Sequence, residues 1–361
     1  MKKTLVAIFT LSAVFLSLSS LAQKKKFSFN EVYQVDGSPK LTVTTNDGDI
    51  EVFPSDRNEI EVFYIVERNN EVINISPKEL EEDFIIDISS DQGFLNISVK
   101  QRYQYRNNDW RNRINVSFDI YCPIKSSCDL QSSDGDIKLR GLTADQKLQT
   151  SDGDVEIIKV TGDVYARTSD GDITIRQVVG NVESITSDGD IELGNIEGNV
   201  EGKTSDGDVD LEDINGRVDL VTSDGDINAE KIVGDMKLTS SDGDLRIGQS
   251  EGEMIINTSD GDISFRNLSG SLKARTSDGE IKGNIVRLDD SLELRTSDGN
   301  IVVTIPDAMG LDLVLRGETI RTVLDNFSGT SKDHIVEGEV NGGGMLVDLH
   351  ASDGTVSLSY D

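Results

Sequence analysis

Paired aspartates recur along this 361-residue chain at a spacing that could build a row of metal ligands. If successive copies stack, their carboxylates form columns of oxygen atoms, and Ca²⁺ takes six to eight oxygen ligands. A calcium-binding repeat is therefore one hypothesis, with calcium as its only cofactor. The tripeptide Ser-Asp-Gly recurs at a constant interval, and an acid follows each copy: Ser133, Ser151, Ser169, Ser187, Ser205, Ser223, Ser241, Ser259 and Ser277. The candidate calcium ligands are Asp170, Asp172, Asp188, Asp190, Asp206, Asp208, Asp224 and Asp226.

The same residue types also suit a tight turn without a metal. In that interpretation the first Asp of each motif accepts a hydrogen bond from its own turn, and the motif glycine supplies a left-handed backbone. The calcium β-roll pattern is absent from the sequence, and the EF-hand pattern fails because glycine follows the first Asp directly. We favour the turn interpretation and keep calcium as the alternative.

Residues for catalysis are scarce. His334 and His350 are the only histidines, and no metalloprotease, nucleophile-elbow or phosphate-loop motif is present. A polysaccharide-active enzyme is a second alternative, but the regular repeats contain only two aromatic residues, Tyr165 and Phe265. We therefore expect a protein that is not an enzyme and has no catalytic residues.

Around each motif the apolar residues fall into columns with the same period as the motif itself. Ile173 and Ile175 are two apart, as in a strand with one buried face, and a second pair follows at Val182. An aliphatic column from Leu142 to Val286 lies between the two pairs, and a glycine column follows it. A threonine column before each motif could form a ladder of hydroxyls. No helical period appears, so the pattern predicts an all-β parallel β-solenoid (β-helix) with 18-residue coils.

The start of the chain predicts export. Lys2 and Lys3 precede an apolar run, and small residues around Ala22 form a cleavage site, so residues 1–22 read as a signal peptide. No second apolar span follows, so we expect no transmembrane segment after cleavage, and a location in the periplasm, on the cell surface or outside the cell. The net charge of −31 argues against nucleic acid as a partner.

The two ends of the repeat array are β-rich but less regular. We divide the mature chain into an N-terminal β-rich region (23–130), the regular solenoid (131–300) and a C-terminal β cap (301–361). Cys122 and Cys128 are the only cysteines, and in an oxidising compartment we expect a disulfide between them. A basic, aromatic stretch is either a hairpin tip or a contact for a glycan or protein partner, through Tyr103, Tyr105, Arg106, Trp110 and Arg111.

These motifs together resemble a bacterial family. They comprise the repeated (Ser/Asn)-Asp-Gly-Asp-Ile-x-Leu, a Gly-x-Val second strand, and Gly342-Gly343-Gly344 before a last motif at Ser352. The chain is similar over about residues 35–361 to the bacterial putative-adhesin β-strand-repeat family, whose function is unknown. The resemblance implies an exported β-solenoid without established catalytic residues. We therefore expect an adhesin or cell-envelope scaffold with an acidic, repetitive surface and a protein or glycan partner.

Overall fold

A computed structural model describes residues 26–102, 114–307 and 309–361. The N-terminal part of this structure contains nine strands and one short helix, and α1 begins with a capping box between Ser76 and Glu79. The elements are β1 (Phe29–Gln34), β2 (Lys40–Thr44), β3 (Ile50–Ser55), β4 (Glu59–Arg68), β5 (Glu71–Val72), α1 (Pro77–Asp83), β6 (Phe84–Asp91), β7 (Phe94–Gln101), β8 (Ile114–Pro123) and β9 (Ser127–Gln131).

The repeats form two strands per coil, the first longer than the second in most coils. These strands are β10 (Ile137–Arg140), β11 (Gln146–Gln149), β12 (Val155–Thr161), β13 (Val164–Arg167), β14 (Ile173–Val179), β15 (Val182–Ile185), β16 (Ile191–Glu197), β17 (Val200–Lys203), β18 (Val209–Asn215), β19 (Val218–Val221), β20 (Ile227–Val233), β21 (Met236–Thr239), β22 (Leu245–Gly248) and β23 (Glu251–Asn257). In the last two repeats both strands merge into one element, β24 (Ile263–Arg275) and β25 (Ile281–Thr296).

Successive coils pair in parallel, with each residue beside its equivalent in the next repeat. Ile173 pairs with Ile191, and Ile191 pairs with Val209, so the motif period is also the register between coils. The second strands pair in the same way, as Val182 does with Val200. The apolar columns are buried and form one continuous core through the stack. The predicted parallel β-solenoid is confirmed.

The first strand of each coil contains a bend that the residue pattern did not predict. At Gln177 the backbone has a φ of +60°, and two consecutive exposed residues interrupt the alternation before buried Val178. The same left-handed conformation recurs at the equivalent position in seven consecutive coils, and Gly141 adopts it in the coil before them. After the bend, side chains again alternate between inward and outward positions. The aliphatic column that we expected between the two strands therefore belongs to the first strand. The bend residues are Lys159, Gln177, Asn195, Asp213, Lys231, Gln249 and Asn267.

The expected place of Val286 in that aliphatic column is wrong. The interval between motifs lengthens by two residues from Ser277 to Ser297, and the pairing of β24 with β25 shifts register. Ile285 therefore pairs with Leu268 and is buried, whereas Val286 is 51% exposed. Ser250 is a polar residue in the same, otherwise aliphatic column, and it is buried. Its hydroxyl has hydrogen-bond partners there, because it donates to the carbonyl of Gly248 and accepts the N–H of Ile232.

At the N-terminal end, the order of coils in space differs from their order in sequence. β2 pairs in parallel with β7 on one side and with β9 on the other, and β3 likewise lies between β8 and β10. The coil of β2 and β3 is thus inserted between two later ones. Beyond it, β6 pairs antiparallel with β7, and β4 pairs antiparallel with β8 and β1.

The C-terminal end repeats this arrangement with β26 (Ile301–Ile305), β27 (Leu311–Arg316), β28 (Thr319–Thr322), β29 (Phe327–Lys332), β30 (Ile335–Val340), β31 (Met345–Ala351) and β32 (Thr355–Tyr360). The last strands, β31 and β32, lie between the coil of β25 and β26 and the earlier pair β27 and β28. Antiparallel β30 and β29 then extend the sheet beyond β27. Antiparallel strands therefore cover coil edges at both ends of the parallel stack.

Candidate functional site: the Ser-Asp-Gly-Asp edge

The repeated motifs stack into one corner of the solenoid, here called the Asp edge, defined by the Ser-Asp-Gly-Asp segments from Ser133 to Glu280. Its backbone is fully engaged between coils: the N–H groups of Ser169 and Asp170 both donate to the carbonyl of Ser151, each at 2.9 Å. Buried Thr168 donates its hydroxyl to the carbonyls of Ser151 and Gly153 at 3.1 and 2.9 Å. The threonine hydroxyls therefore bond carbonyls of the preceding coil, not one another as expected.

The motif glycines are required by close approach. The expectation that they adopt a left-handed backbone is wrong, because no motif glycine of the repeats is among the residues with positive φ. A Cβ atom on Gly189 would instead overlap the carbonyl of Gly171 in the preceding coil. The second glycine column lies at the corner between the two strands of each coil, here called the glycine corner. At this corner glycine is required both by the backbone conformation and by close approach. Gly180 has a φ of +151°, and a Cβ atom on it would overlap the backbone of Gly162.

The second acid of each motif forms a ladder along the solenoid. Oδ1 of Asp172 accepts the backbone N–H of Asp190 at 2.8 Å, and Oδ1 of Asp190 accepts that of Asp208 at 2.8 Å. The expected bond from the first Asp to its own turn is therefore wrong: the second Asp supplies the bond, and its donor is in the next coil. We call this set the inner acid column: Asp49, Asp136, Asp154, Asp172, Asp190, Asp208, Asp226, Asp244 and Asp262.

The first acid of each motif is exposed, and its carboxylate makes no hydrogen bond or ion pair in the part of the chain that the structure describes. Neighbouring carboxylates in this column are one coil apart, about 4.8 Å. At that distance two like charges repel by about 1 kcal/mol in water. We call this set the outer acid column: Asp134, Asp152, Asp170, Asp188, Asp206, Asp224, Asp242, Asp260 and Asp278.

The pKa is shifted at two positions of the inner column, Asp226 and Asp49. Arg246 bridges Asp226 and Asp244, with both N–O distances at 2.7 Å. Burial raises the pKa of Asp226, but the hydrogen bond from Arg246 and the N–H of Asp244 outweigh it, so the pKa is lowered. At the N-terminal end, burial is the largest influence on Asp49 and raises its pKa. The inner carboxylates are thus structural acceptors, and at Asp226 and Asp49 the pKa is shifted in opposite directions.

The eight aspartates predicted as calcium ligands divide between the two columns. Asp170, Asp188, Asp206 and Asp224 belong to the outer column, and their inner counterparts each already use one oxygen in the ladder. Among residues 26–102, 114–307 and 309–361, no group of three or more acidic, histidine or cysteine side chains has the geometry of a metal site. Calcium binding stays a prediction.

A second ladder, which the residue pattern did not predict, follows the glycine corner. Oδ1 of Asp163 accepts the N–H of Asn181 at 2.9 Å, and Oδ1 of Asn181 accepts that of Asn199 at 3.1 Å. Oδ1 of Asn199 in turn accepts the N–H of Arg217. Asparagine can therefore replace aspartate in such a ladder. The signal available in the sequence was the Asp or Asn that follows several of the corner glycines: Asp163, Asn181, Asn199 and Asp235.

The remaining predicted residues lie near the N-terminal end. Cys122 and Cys128 are buried thiols in hydrogen-bonding contact, which lowers the pKa of Cys122 and raises that of Cys128. Their oxidation to a disulfide stays a prediction. The predicted signal peptide and the predicted contact residues Tyr103, Tyr105, Arg106, Trp110 and Arg111 lie outside the described residues. No helix within the described ranges is long and apolar enough to cross a membrane.

Three solved structures are similar to this chain. A putative cell adhesion protein from Clostridium sporogenes ATCC 15579 has 10% identity and a TM-score of 0.19, over 92% of this chain and 99% of that one. A putative adhesin from Parabacteroides distasonis ATCC 8503 has 15% identity and a TM-score of 0.31, over 77% and 96%. A putative adhesin from Bacteroides fragilis NCTC 9343 has 17% identity and a TM-score of 0.28, over 78% and 98%. With TM-scores this low, the likeness supports no statement about what this chain binds.

No curated protein matches the chain. A family model does match it twice, over residues 38–247 and 198–359, which together span nearly all of the solenoid and both of its ends. The chain therefore belongs to the Toastrack family, DUF4097.

Proposed function

We propose that this protein is a non-enzymatic, exported β-solenoid that acts as an adhesin or cell-envelope scaffold and presents an acidic, repetitive surface. Export is inferred from the basic start, apolar run and cleavage site in residues 1–22. The acidic surface is the Asp edge. A stack of coils presents the same groups at every rung, which suits a long surface for extended or multivalent partners.

One observation carries the proposal: the outer acid column is not used by the fold. The inner carboxylates accept backbone N–H groups, whereas the outer carboxylates have no partner within the described part of the chain. Their mutual repulsion disfavours the folded state, yet an Asp is present at this position in every repeat. A role outside folding, at the envelope, accounts for these charges. Cationic groups on envelope proteins or glycans, or bridging divalent cations, match them electrostatically.

The test is co-sedimentation of the mature protein, residues 23–361, with envelope vesicles from the producing bacterium. The test variant neutralises four outer acids, and the control variant neutralises four acids on the first-strand face, so the two have the same net charge. We expect the test variant to sediment less than wild type at low ionic strength, and the control to sediment as wild type does. Equal binding by both variants, or no binding by wild type, would overturn the proposal. The test changes are Asp170, Asp188, Asp206 and Asp224 to Asn; the control changes are Glu156 and Glu192 to Gln and Asp210 and Asp213 to Asn.

Two further measurements bear on the proposal. Fractionation combined with protease digestion of whole cells distinguishes a periplasmic location from a surface one, and recovery of the intact protein only in the cytoplasm would contradict export. Incubation with envelope polysaccharides should release no new reducing or unsaturated ends. Their appearance, abolished by substitution of single acids, would favour the enzymatic alternative.

A further inference from the structure

A groove of about 760 Å³ runs across several coils on the face formed by the second strands β11, β13, β15, β17 and β19. One wall is the ladder that includes Asp163, Asn181 and Asn199, whose side chains bond the backbone of the next coil. The other wall consists of outward side chains of the strands, among them Tyr165 and Glu183.

Tyr165 is the one aromatic side chain that faces outward in the regular coils, since Phe265 is only 4% exposed. Its ring is half-buried and makes no ring, cation or hydrogen-bond contact in the described part of the chain. One face of the ring is therefore open to a ligand that packs against it.

The exposed aromatic cluster near the N-terminal end differs in this respect. Phe53 and Tyr121 stack with ring centroids 5.0 Å apart, and Arg140 covers Phe53 at 4.9 Å. Phe63 packs edge-to-face on Tyr121, with centroids 5.8 Å apart. These rings cover one another across neighbouring strands, so we assign them to sheet stability. Within the regular coils, Tyr165 is the one aromatic residue that combines an outward ring with a groove.

The hydrogen-bonding groups near Tyr165 suit a ligand rich in hydroxyls. Glu183 and Glu201 are exposed carboxylates on the next two coils and have no partner among the described residues. Asn199 uses its side-chain oxygen in the ladder, and its side-chain nitrogen makes no hydrogen bond among the described residues. The groove thus offers two strong acceptors on adjacent rungs, about 4.8 Å apart, and a donor in the same coil as Glu201. The carboxylates would repel an anionic chain, so a neutral one fits better.

We propose that this groove binds an extended neutral oligosaccharide that lies along the solenoid axis. The apolar face of one sugar ring packs on Tyr165, and hydroxyls of the following sugars donate to Glu183 and Glu201. Extended β-1,4-linked chains advance by close to one rung per sugar, so successive sugars meet successive coils. The inference deepens and rests on the proposed adhesive function, because it names the class of ligand and places its contact on a face away from the Asp edge.

The test is isothermal titration of the mature protein with neutral hexasaccharides of β-1,4-linked glucose, mannose and N-acetylglucosamine, with hexagalacturonate as the anionic comparison. We expect at least one neutral hexasaccharide to bind, and hexagalacturonate to bind at least tenfold more weakly. Tyr165→Ser should raise the Kd of the bound hexasaccharide about tenfold or more, whereas Tyr165→Phe, which keeps the ring, should change it by less than about threefold. Glu183→Gln should also weaken binding, and Glu156→Gln, on the other strand face, should not.

The outcomes separate this inference from the proposed function. If none of the neutral hexasaccharides binds, or if Tyr165→Ser binds as wild type does, the groove proposal is wrong even when envelope vesicles still bind through the outer acid column. If a hexasaccharide binds through Tyr165 but vesicles do not bind through the outer acid column, the groove proposal is supported. In that case the proposal that the acidic surface binds the envelope is wrong. Circular dichroism of each variant verifies that the fold is intact.

Discussion

Removing one carboxylate of the inner acid column should destabilise the protein, whereas removing its neighbour in the outer column should not. The perturbation is Asp190→Ala, compared with Asp190→Asn and Asp188→Ala in the same motif. Asp190 Oδ1 accepts the N–H of Asp208 at 2.8 Å, and the carboxylate of Asp188 makes no hydrogen bond or ion pair within the described part of the chain. Each variant changes one side chain in the same motif. Contributions of the rest of the protein to the free energy of unfolding therefore cancel when the variants are compared.

The magnitude follows from two opposing effects. A hydrogen bond to a charged acceptor contributes about 1.5–3 kcal/mol, and its loss in Asp190→Ala is partly offset by relief of repulsion from Asp172 and Asp208. That repulsion is about 1 kcal/mol per neighbour in water, and physiological salt reduces it to about half. The net loss is therefore about 1 kcal/mol. Asp190→Asn keeps the acceptor and removes the repulsion, so we expect a change within about 0.5 kcal/mol of zero, as we do for Asp188→Ala.

Urea unfolding followed by circular dichroism measures these differences. Because a stack of repeats can unfold in parts, the comparison is made between variants at the same rung, with equal slopes as the criterion of a common transition. A repeat of the series in high salt should increase the cost of Asp190→Ala, since the compensating relief of repulsion is then screened. If Asp190→Ala and Asp188→Ala have the same midpoint in both salt conditions, the ladder does not contribute to stability and the assignment of roles to the two columns is refuted.

Further predictions concern the corners, calcium, pH and the thiols. Gly189→Ala should destabilise the protein by more than about 2 kcal/mol, because the added Cβ overlaps the preceding coil. Gly194→Ala should be nearly neutral, because the added Cβ meets nothing closer than 3.7 Å. Equal melting temperatures of the two variants would contradict the requirement for glycine at position 189. If the acid columns bind calcium specifically, millimolar calcium should raise the melting temperature and a chelator should reverse that rise. Magnesium should leave the melting temperature unchanged. If calcium causes no shift, the calcium hypothesis is wrong. The lowered pKa of Asp226 implies a contribution to stability that is present above about pH 4, the unfolded value, and is lost as pH falls through the folded pKa. Asp226→Asn should therefore be less stable than wild type at pH 7, and this difference should shrink as pH falls below about 4. Intact mass of exported protein should be about 2 Da below the reduced value if Cys122 and Cys128 are oxidised, and reductant should lower the melting temperature.

The residue pattern was sufficient to predict the solenoid because its period is strict. Ile173, Ile191 and Val209 are separated by one coil in sequence, and parallel stacking is the arrangement that buries all of them. Where the period changes, the prediction failed. The two extra residues before Ser297 shift the pairing of β25, so Val286 faces outward although it continues the column by number.

The exchanged order of coils at the two ends could not be predicted from the pattern. The segment Asp47–Val52 carries the motif, which places it in a coil, but nothing in the period says which coils flank it. That choice depends on long-range pairing. β3 pairs with β10, although six other strands (β4 to β9) and the helix come between them in the chain. The left-handed bend at Gln177 was missed for a local reason. Lys, Gln, Asn and Asp share that position, and only Asn and Asp are typical of a left-handed backbone.

The two acids of each motif illustrate why a repeated pattern does not by itself identify a site. In the sequence, Asp188 and Asp190 are equivalent candidates for metal binding, and Asp188, the first acid, was the predicted acceptor in the turn. Stacking makes them different, because only the second carboxylate reaches a backbone N–H of the next coil. Threonine, glycine and the inner acid are all held by contacts with adjacent coils, so substitution there perturbs folding before it perturbs any surface property. The outer acid is the one charged position of the motif that can vary without breaking a contact, and it is therefore where charge at this edge can be separated experimentally from the stability of the fold.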